Sequence, residues 1–399
     1  MTGKTKIRIK AVGDIAPGDY MAPGLGILST ANRYGCDFIF KNIRTELGAS
    51  DLLLGNLEGP LSHLSMKQDM RMCGMPDMAL SLKNVGFDVL SVANNHVLDH
   101  GPDIFQETLY HCRQAGLMVC GLRGDGEYYS QPVITERNGT KIGILAYNWV
   151  SSEHIEIDGS HISQVYDGVV NYSWSRNRDR DVRAREAVAQ RNKHVVNDIK
   201  ALRRHVDILV IMPHWGYEWV IYPPIGVVLE ARSFIDAGAD LILGSHPHVH
   251  QGLEIYNNKI IAYSLGNFLF DGFSKRYGSG MLINCVLSLG GPSEYDVLIL
   301  DRDDFFRPCS AIAGMAEKHM AMVQKSCSAI ADPGAEHWLD DDLIYKEHEK
   351  VYNKLKYDKI LFLLKTALRH PSTIGVVGQK VLNFLRIIGL RLQGKKVRW

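Results

Sequence analysis

The chain has 399 residues, of which 46% are hydrophobic and 22% are charged, with a formal net charge of +1. These proportions are ordinary for a folded globular protein, so they exclude an intrinsically disordered chain, and the near-neutral charge gives no reason to expect nucleic-acid binding. No stretch approaches the run of about 18 uncharged apolar residues that a membrane-spanning helix requires.

Apolar runs typical of β-strands alternate with helical stretches from Ile7 to about Asp301, which predicts a layered α/β fold. Asn138-Gly139 and Asn257-Asn258 each separate two short apolar runs, as the turn of a β-hairpin does. Because hairpins are mixed with β-α-β units, we expect a mixed sheet or two packed sheets. The predicted helices span residues 28–47, 76–86, 103–116, 184–204 and 226–238.

Residues 150–183 have weak periodicity, which is typical either of a solvated loop or of a lid that faces a substrate. After Asp301 the pattern becomes helical, and we place a boundary near residue 305. The prediction is therefore an α/β domain over residues 1–305 and a helical extension over residues 306–399 with a basic amphipathic tail. Further helices are predicted at residues 312–328, 340–368 and 376–392.

The end of the chain is basic, because residues 360–399 contain eight Lys or Arg and no acidic residue. Residues 380–392 are also amphipathic at helical spacing. This tail is predicted either to contact an anionic membrane surface peripherally or to dock as a terminal helix on the rest of the protein.

The seven cysteines show no C-x-x-C spacing, and their odd number cannot pair completely. A reducing compartment is the simpler interpretation. The first ten residues are not followed by the apolar stretch of a signal peptide. We therefore expect a cytoplasmic location, with possible peripheral contact at the inner face of the membrane.

Six side chains with the chemistry of metal ligands lie where apolar runs end, and the carboxyl ends of strands are where distant side chains converge in α/β proteins. Imidazoles favour Mn, Fe or Zn over Ca, although Mg also fits the carboxylates. An acidic pair neutralises two cations, and two divalent ions roughly 3.5–4 Å apart activate water and stabilise charge on a phosphoryl oxygen. The set therefore predicts a hydrolytic centre with two divalent metal ions. Its members are Asp14, Glu58, Asn95, His214, His246 and His248.

His96 is a candidate general acid and not a ligand, because Asp99 follows it by three residues and would orient a protonated imidazole. Asp99 has an alternative role as the N-cap of a helix that begins near Pro102. The two roles are equally compatible with the sequence. Other histidines fit no ligand spacing and are interpreted as surface or capping residues, namely His63, His100, His111, His161, His194 and His205.

The combined pattern resembles the capsule-synthesis CapA family within the calcineurin-like metallophosphoesterase superfamily, over roughly residues 7–272. The matching segments are Gly13-Asp14, Asn56-Leu57-Glu58, Ala93-Asn94-Asn95-His96 with Asp99 and Gly101, His214-Trp215-Gly216 with Glu218, Gly244-Ser245-His246-Pro247-His248 and Tyr263-Ser264-Leu265-Gly266-Asn267-Phe268. The resemblance implies a four-layer α/β/β/α metallophosphoesterase-like sandwich, here with a helical C-terminal extension. It also implies that Glu58 bridges two ions. Asn95, His214 and His246 would surround one ion, and Asp14 and His248 the other.

One position departs from the superfamily pattern, in which the first aspartate begins an Asp-x-His motif. Ala16 stands where that histidine would be, so one half of the centre is a ligand short. Asp19 is a candidate to compensate.

The resemblance implies a metal-dependent hydrolase with an anionic polymer or phosphoester substrate, in the biosynthesis of capsular poly-γ-glutamate or a related polymer. Polymer-synthase subunits are the implied partners. The alternative is a non-catalytic metal-binding scaffold subunit of a polymer synthase or export complex.

Overall fold

The structure is a computed structural model, and it describes the chain in several stretches. They are residues 6–20, 22, 24–65, 72–150, 192–271, 279–289 and 293–331, with the single positions 346, 348, 350, 351 and 354. The predicted insertion at 150–183, beyond residue 150 itself, lies outside the described residues. So does the basic tail at 360–399 with its amphipathic segment at 380–392.

The first sheet has eight strands, in the order β14-β13-β12-β1-β2-β3-β4, with β11 pairing alongside the end of β1. The strands from β1 to β4 are parallel, whereas β12, β13 and β14 are added antiparallel at one edge. Their bounds are β1 (Lys6–Ile15), β2 (Leu52–Leu57), β3 (Val89–Ser91), β4 (Met118–Cys120), β11 (Asn267–Leu269), β12 (Gly280–Ser288), β13 (Glu294–Arg302) and β14 (Pro308–Ser310).

The second sheet has six strands, in the order β5-β6-β7-β8-β10-β9. A parallel centre is flanked by a hairpin at each edge, as the sequence predicted. Asn138 and Gly139 at one turn, and Asn257 and Asn258 at the other, all have positive φ, as type I′ hairpin turns require. The strands are β5 (Val133–Arg137), β6 (Thr140–Asn148), β7 (Ile208–His214), β8 (Leu241–Leu243), β9 (Leu253–Tyr256) and β10 (Lys259–Ala262).

The two sheets pack face to face and carry helices on their outer faces. Alternate residues of β1 divide between the layers, because Ile9 lies in the core between the sheets while Val12 packs under the outer helices. On β7, Val210 faces the other sheet and Leu209 faces the helices. The predicted α/β/β/α sandwich is therefore present. The helices are α1 (Ile27–Tyr34), α2 (Cys36–Ile39), α3 (Arg44–Leu47), α4 (Asp77–Asn84) and α5 (Pro102–Gln114) on the first sheet, and α6 (Lys193–Leu202) and α7 (Ile225–Ala237) on the second.

One helix prediction was wrong. The segment predicted as a single helix over residues 28–47 forms three short helices, α1 to α3. Gly35 lies between the first two with a φ of 88°, which a right-handed helix does not contain. The other helices begin and end within a few residues of the predicted bounds where they are described.

The first helix of the predicted extension, α8 (Ala313–Ala331), packs onto the sandwich. Its Val323 lies in the core between the sheets, and Ser326 Oγ accepts a hydrogen bond from the Gly252 amide at 2.9 Å. The domain boundary near residue 305 stays a prediction. It falls between β13 and β14, which pair with each other.

Candidate metal centre

The structure brings all six predicted ligands together at the carboxyl ends of the strands. Asp14 lies near the end of β1, His214 ends β7, and Glu58 directly follows β2. The loops after β3 and β8 supply the rest. Every one of these side chains is buried, and the most exposed of them, Asn95, is 6% exposed. Six polar side chains held together away from water require partners. Those six are Asp14, Glu58, Asn95, His214, His246 and His248.

Tight backbone packing holds these loops in place. The amide of Asp14 donates to the carbonyl oxygen of Gly266 at 2.9 Å, and a Cβ at Gly13 would lie 1.8 Å from that same oxygen. His246 and His248 have φ values of 94° and 54°, which are unfavourable for residues with a side chain. Strain of this kind persists where the surroundings enforce it, and it is concentrated at functional sites.

Glu58 lies at the middle of the group. Its Oε1 is 3.7 Å from His214 Nε2 and 3.6 Å from His248 Nε2. Among the residues that the structure describes, neither of its carboxylate oxygens has a hydrogen-bond partner, although the side chain is fully buried. A buried carboxylate without donors is unfavourable by several kcal/mol unless a cation accompanies it. The donor set therefore fits divalent cations, with Glu58 placed to reach two of them.

His214 is oriented by its neighbours so that one ring nitrogen faces Glu58. Its Nδ1 contacts Ser245 Oγ at 3.0 Å and Asn56 Nδ2 at 3.3 Å, which leaves Nε2 to lie 2.8 Å from Asn95 Oδ1. Asn56 Nδ2 also donates to Asp14 Oδ1 at 2.8 Å. Contacts behind a ligand imidazole of this kind fix its tautomer and ring orientation.

Asp14 and His248 form the other side of the centre. His248 Nδ1 lies 3.4 Å from Asp14 Oδ2 and 2.9 Å from Asn267 Oδ1. Potential ligand atoms fall into two groups, each spanning no more than 4.8 Å, and both groups contain Glu58. One group adds His246 and His248, and the other adds Asp14 and His214. The assignment of His246 and His248 to separate ions stays a prediction.

The charges of the centre also favour cations. Burial, reinforced by the carboxylate of Asp14, raises the pKa of Glu58 to about 8. Burial and neighbouring imidazoles lower the pKa of His214 and of His246 well below the usual value, so both rings are neutral and have a lone pair to offer. Burial also acts to lower the pKa of His248, but the two carboxylates outweigh it and raise that pKa to about 10. Bound cations would replace protons here, because ligands bind in their deprotonated forms.

His96 and Asp99 form the predicted pair. His96 Nδ1 lies 2.7 Å from Asp99 Oδ2, and the imidazole is 18% exposed. Burial acts against protonation, but the hydrogen bond and charge of Asp99 outweigh it and raise the pKa of His96. The capping alternative for Asp99 is wrong, because the N-cap of α5 is Gly101, Asp99 Oδ2 contacts His96, and Asp99 Oδ1 has no hydrogen-bond partner among the described residues.

Ala16 and Asp19 provide no ligand to the centre. Ala16 is buried in a small apolar cluster with Met72 and Phe270, and the Phe270 ring centroid is 4.8 Å from that of His248. Asp19 instead accepts hydrogen bonds from the amides of Gly24 and Ser29, at 3.0 and 3.1 Å. The proposed compensation by Asp19 therefore has no support in the geometry.

Two residues of the C-terminal extension that the sequence did not point to border the centre. His348 Nδ1 contacts the carbonyl oxygen of Glu218 at 2.9 Å, and its charge contributes to the low pKa of His246. Val351 packs in a small buried cluster with Trp219, whose ring centroid lies 5.1 Å from that of His248. No spacing signal identifies either residue, because both lie far along the chain from the ligand motifs.

Comparison with known proteins assigns the chain to a family. The bacterial capsule synthesis protein PGA_cap family matches residues 8–272, which include every predicted ligand. The chain belongs to this family. The match ends before β12, so the edge strands β12 to β14 of the first sheet and the helix α8 lie outside it.

Two relatives have informative names. The chain is 28% identical over 302 residues to the capsule biosynthesis protein CapA of Bacillus anthracis, covering 74% of this chain and 67% of the relative. It is also 28% identical over 295 residues to the PGA biosynthesis protein CapA of Bacillus subtilis strain 168, covering 73% and 70%. Among solved structures, the 5′-nucleotidase of Candida albicans is 11% identical with a TM-score of 0.38, over 81% of this chain and 57% of that one. The fold assignment rests on the layer order described above.

Proposed function

We propose that this chain is a metal-dependent hydrolase of the phosphoesterase type that acts in the biosynthesis or handling of capsular poly-γ-glutamate or a related anionic polymer. One observation carries the hydrolase part. The buried carboxylate of Glu58 lacks donors among the described residues and lies between two histidine nitrogens at 3.6 and 3.7 Å. The names of the two Bacillus relatives support the capsule part.

The proposed metal ligands fall into two sets, one for each ion. Asn95, His214 and His246 would hold one ion, Asp14 and His248 would hold the other, and Glu58 would bridge them. When bound, divalent ions of the Mn, Fe, Zn or Mg type would supply Lewis-acid polarisation and activate water. Trp219 and Phe270 border His248 and exclude bulk water from that side.

His96 is the proposed proton donor to the leaving group. Its Nδ1 is engaged by Asp99 at 2.7 Å, so Nε2 is the nitrogen left to donate. The carboxylate of Asp99 stabilises the imidazolium and fixes the ring, and it thereby keeps the proton available near neutral pH. Positioned acid catalysis of this kind contributes roughly 100- to 10,000-fold to a rate.

The test is turnover with metal content measured on the same samples. The protein, loaded with each divalent ion in turn, is assayed on aryl phosphates, phosphodiesters and short γ-glutamyl peptides. We expect His96→Ala to lose turnover with its metal retained, and His214→Ala to lose metal. If both variants keep wild-type activity and metal content, the hydrolase proposal is wrong.

A second candidate function, that of a non-catalytic scaffold subunit, is favoured by the apolar cluster at Ala16. Because Met72 and Phe270 fill the surroundings of that position, the Asp14 side of the centre has fewer donors, as suits a scaffold subunit with a single structural ion. A scaffold would retain its metal-dependent stability and show no turnover on any of the three substrate classes. Turnover abolished by His96→Ala would exclude it.

The proposed partners are the anionic polymer itself and subunits of a polymer synthase. Among the described residues no helix is long and apolar enough to span a bilayer. Peripheral contact through the basic tail and a cytoplasmic location are further proposals. Co-sedimentation with anionic liposomes, comparing the full chain with one that ends near residue 356, tests the contact. Equal sedimentation of the two would refute it.

A further inference from the structure

A second group of metal-ligating side chains lies at the surface, away from the buried centre. It consists of His63, in the segment after β2, and Glu107 and His111, one turn apart on α5. Their potential ligand atoms all lie within 4.8 Å of one another. His63 is exposed, whereas Glu107 and His111 are partly buried. From the sequence, His63 and His111 are interpreted as surface or capping residues, because 44 residues separate His63 from Glu107.

The backbone holds this group in place without any ion. The amide of His63 donates to Glu107 Oε1 at 2.8 Å. Two residues earlier, the amide of Leu61 donates to Thr108 Oγ1 at 2.9 Å. The segment is therefore fastened to α5 at Leu61 and at His63 itself, and little ordering is left for an ion to impose.

The side chains converge on one point. The rings of His63 and His111 have their centroids 5.0 Å apart at an interplanar angle of 81°, and His111 Nε2 lies 3.7 Å from Glu107 Oε1. Two imidazoles at this separation would repel each other if both were protonated, whereas a shared cation converts the repulsion into attraction. Glu107 retains free lone pairs after accepting the His63 amide, because a carboxylate has about four acceptor positions.

We propose that His63, Glu107 and His111 form a second, surface binding site for a zinc-type divalent cation. Two imidazoles and one carboxylate are ligands that favour Zn²⁺ and its neighbours over Mg²⁺ or Ca²⁺. The exposure of His63 leaves room for water or an external ligand beside the three protein ligands. A bound ion would tie the segment after β2, which begins at Glu58 of the buried centre, to the middle of α5.

The first experiment counts bound zinc per chain by equilibrium dialysis at fixed free Zn²⁺. We expect His63→Ala and His111→Ala each to bind one ion fewer than wild type. His205→Ala is the matched control, since this exposed histidine lies in no such group among the described residues, and it should bind the wild-type number. The difference does not depend on how many ions the buried centre holds. Equal counts in all four proteins would overturn the proposal.

The second experiment leaves the sequence intact, so that misfolding of a variant cannot decide the result. Diethyl pyrocarbonate modifies neutral exposed imidazoles, and mass spectrometry reports the rate at each histidine. Zn²⁺ should slow modification of His63 and His111 at least tenfold, Mg²⁺ should not, and His205 should react equally in both. Unchanged rates at His63 and His111 in Zn²⁺ would refute the site.

Discussion

Glu58→Gln tests the bridging role most sharply, because the substitution retains the size and shape of the side chain and removes the charge. Glu58 Oε1 lies within 3.7 Å of a nitrogen on each side of the centre, so the loss of this carboxylate would take a ligand from both of the proposed ions. Asp14→Asn and His246→Ala would each take a ligand from one proposed ion only. Glu58→Gln should therefore weaken the binding of both ions, whereas each of the other two variants should weaken the binding of one.

The expected magnitudes follow from ligand linkage. A metal at 100 times its dissociation constant stabilises the folded protein by about 2.7 kcal/mol per site, or about 5 kcal/mol for two independent sites. Glu58→Gln should lose nearly all of this metal-dependent stabilisation. Asp14→Asn and His246→Ala should each lose about half. Without metal, Glu58→Gln should unfold close to wild type, because burial raises the pKa of Glu58 to about 8 and the glutamine amide resembles the protonated acid.

The assay is urea unfolding with and without saturating Mn²⁺, together with metal per chain by elemental analysis, because Zn²⁺ would also occupy the proposed surface site. Glu136→Gln is the control, since that carboxylate is exposed on β5, and it should keep the full metal-dependent stabilisation. The bridging assignment would be wrong if Glu58→Gln kept two ions per chain. It would also be wrong if Glu58→Gln lost no more stabilisation than Asp14→Asn.

Three other predictions concern different parts of the site. His96→Ala should reduce turnover roughly 100-fold or more with metal content unchanged; a fall in metal content would make His96 a ligand. Gly13→Ala should destabilise the protein by more than about 3 kcal/mol in urea unfolding, because its Cβ would lie 1.8 Å from the Gly266 oxygen. The control is Gly314→Ala, which has open space around it and should have a free energy of unfolding within about 1 kcal/mol of wild type. His348→Ala should change KM more than it changes metal content. Lys346→Ala, in the same segment, is the control and should change neither quantity. If the two variants have equal kinetics, His348 lies outside the site.

The grouping of these six side chains could be predicted from the sequence because its signal is local. Each lies within a few residues of the end of an apolar run, and the ends of parallel strands meet at one edge whatever the loop lengths. The pair of His96 and Asp99 is local too, since three residues separate its members. Hairpin turns such as Asn138-Gly139 were predictable for the same reason.

What the sequence did not predict depends on contacts between distant segments. Nothing near Asp19 indicates that its carboxylate binds the amides of Gly24 and Ser29, since that requires α1 to be in place. His348 reaches the centre only because the extension folds back over Trp219. The break between α1 and α2 at Gly35 was not predicted, because the apolar periodicity of the sequence continues across this glycine and does not reveal its positive φ.

The two sides of the centre should not hold their ions equally well. Asn95 and His214 lie 2.8 Å apart, and Asn56 and Ser245 fix the ring of His214 from behind, so that side is preorganised for a cation. On the other side, Ala16 provides no donor, and the Phe270 ring lies beside His248. Gradual chelation should therefore remove one ion first, and the remaining ion should be lost in His214→Ala but kept in Asp14→Asn. If Asp14→Asn instead loses the more tightly held ion, the apolar cluster does not weaken its side, and the case for a single-ion scaffold loses its structural support.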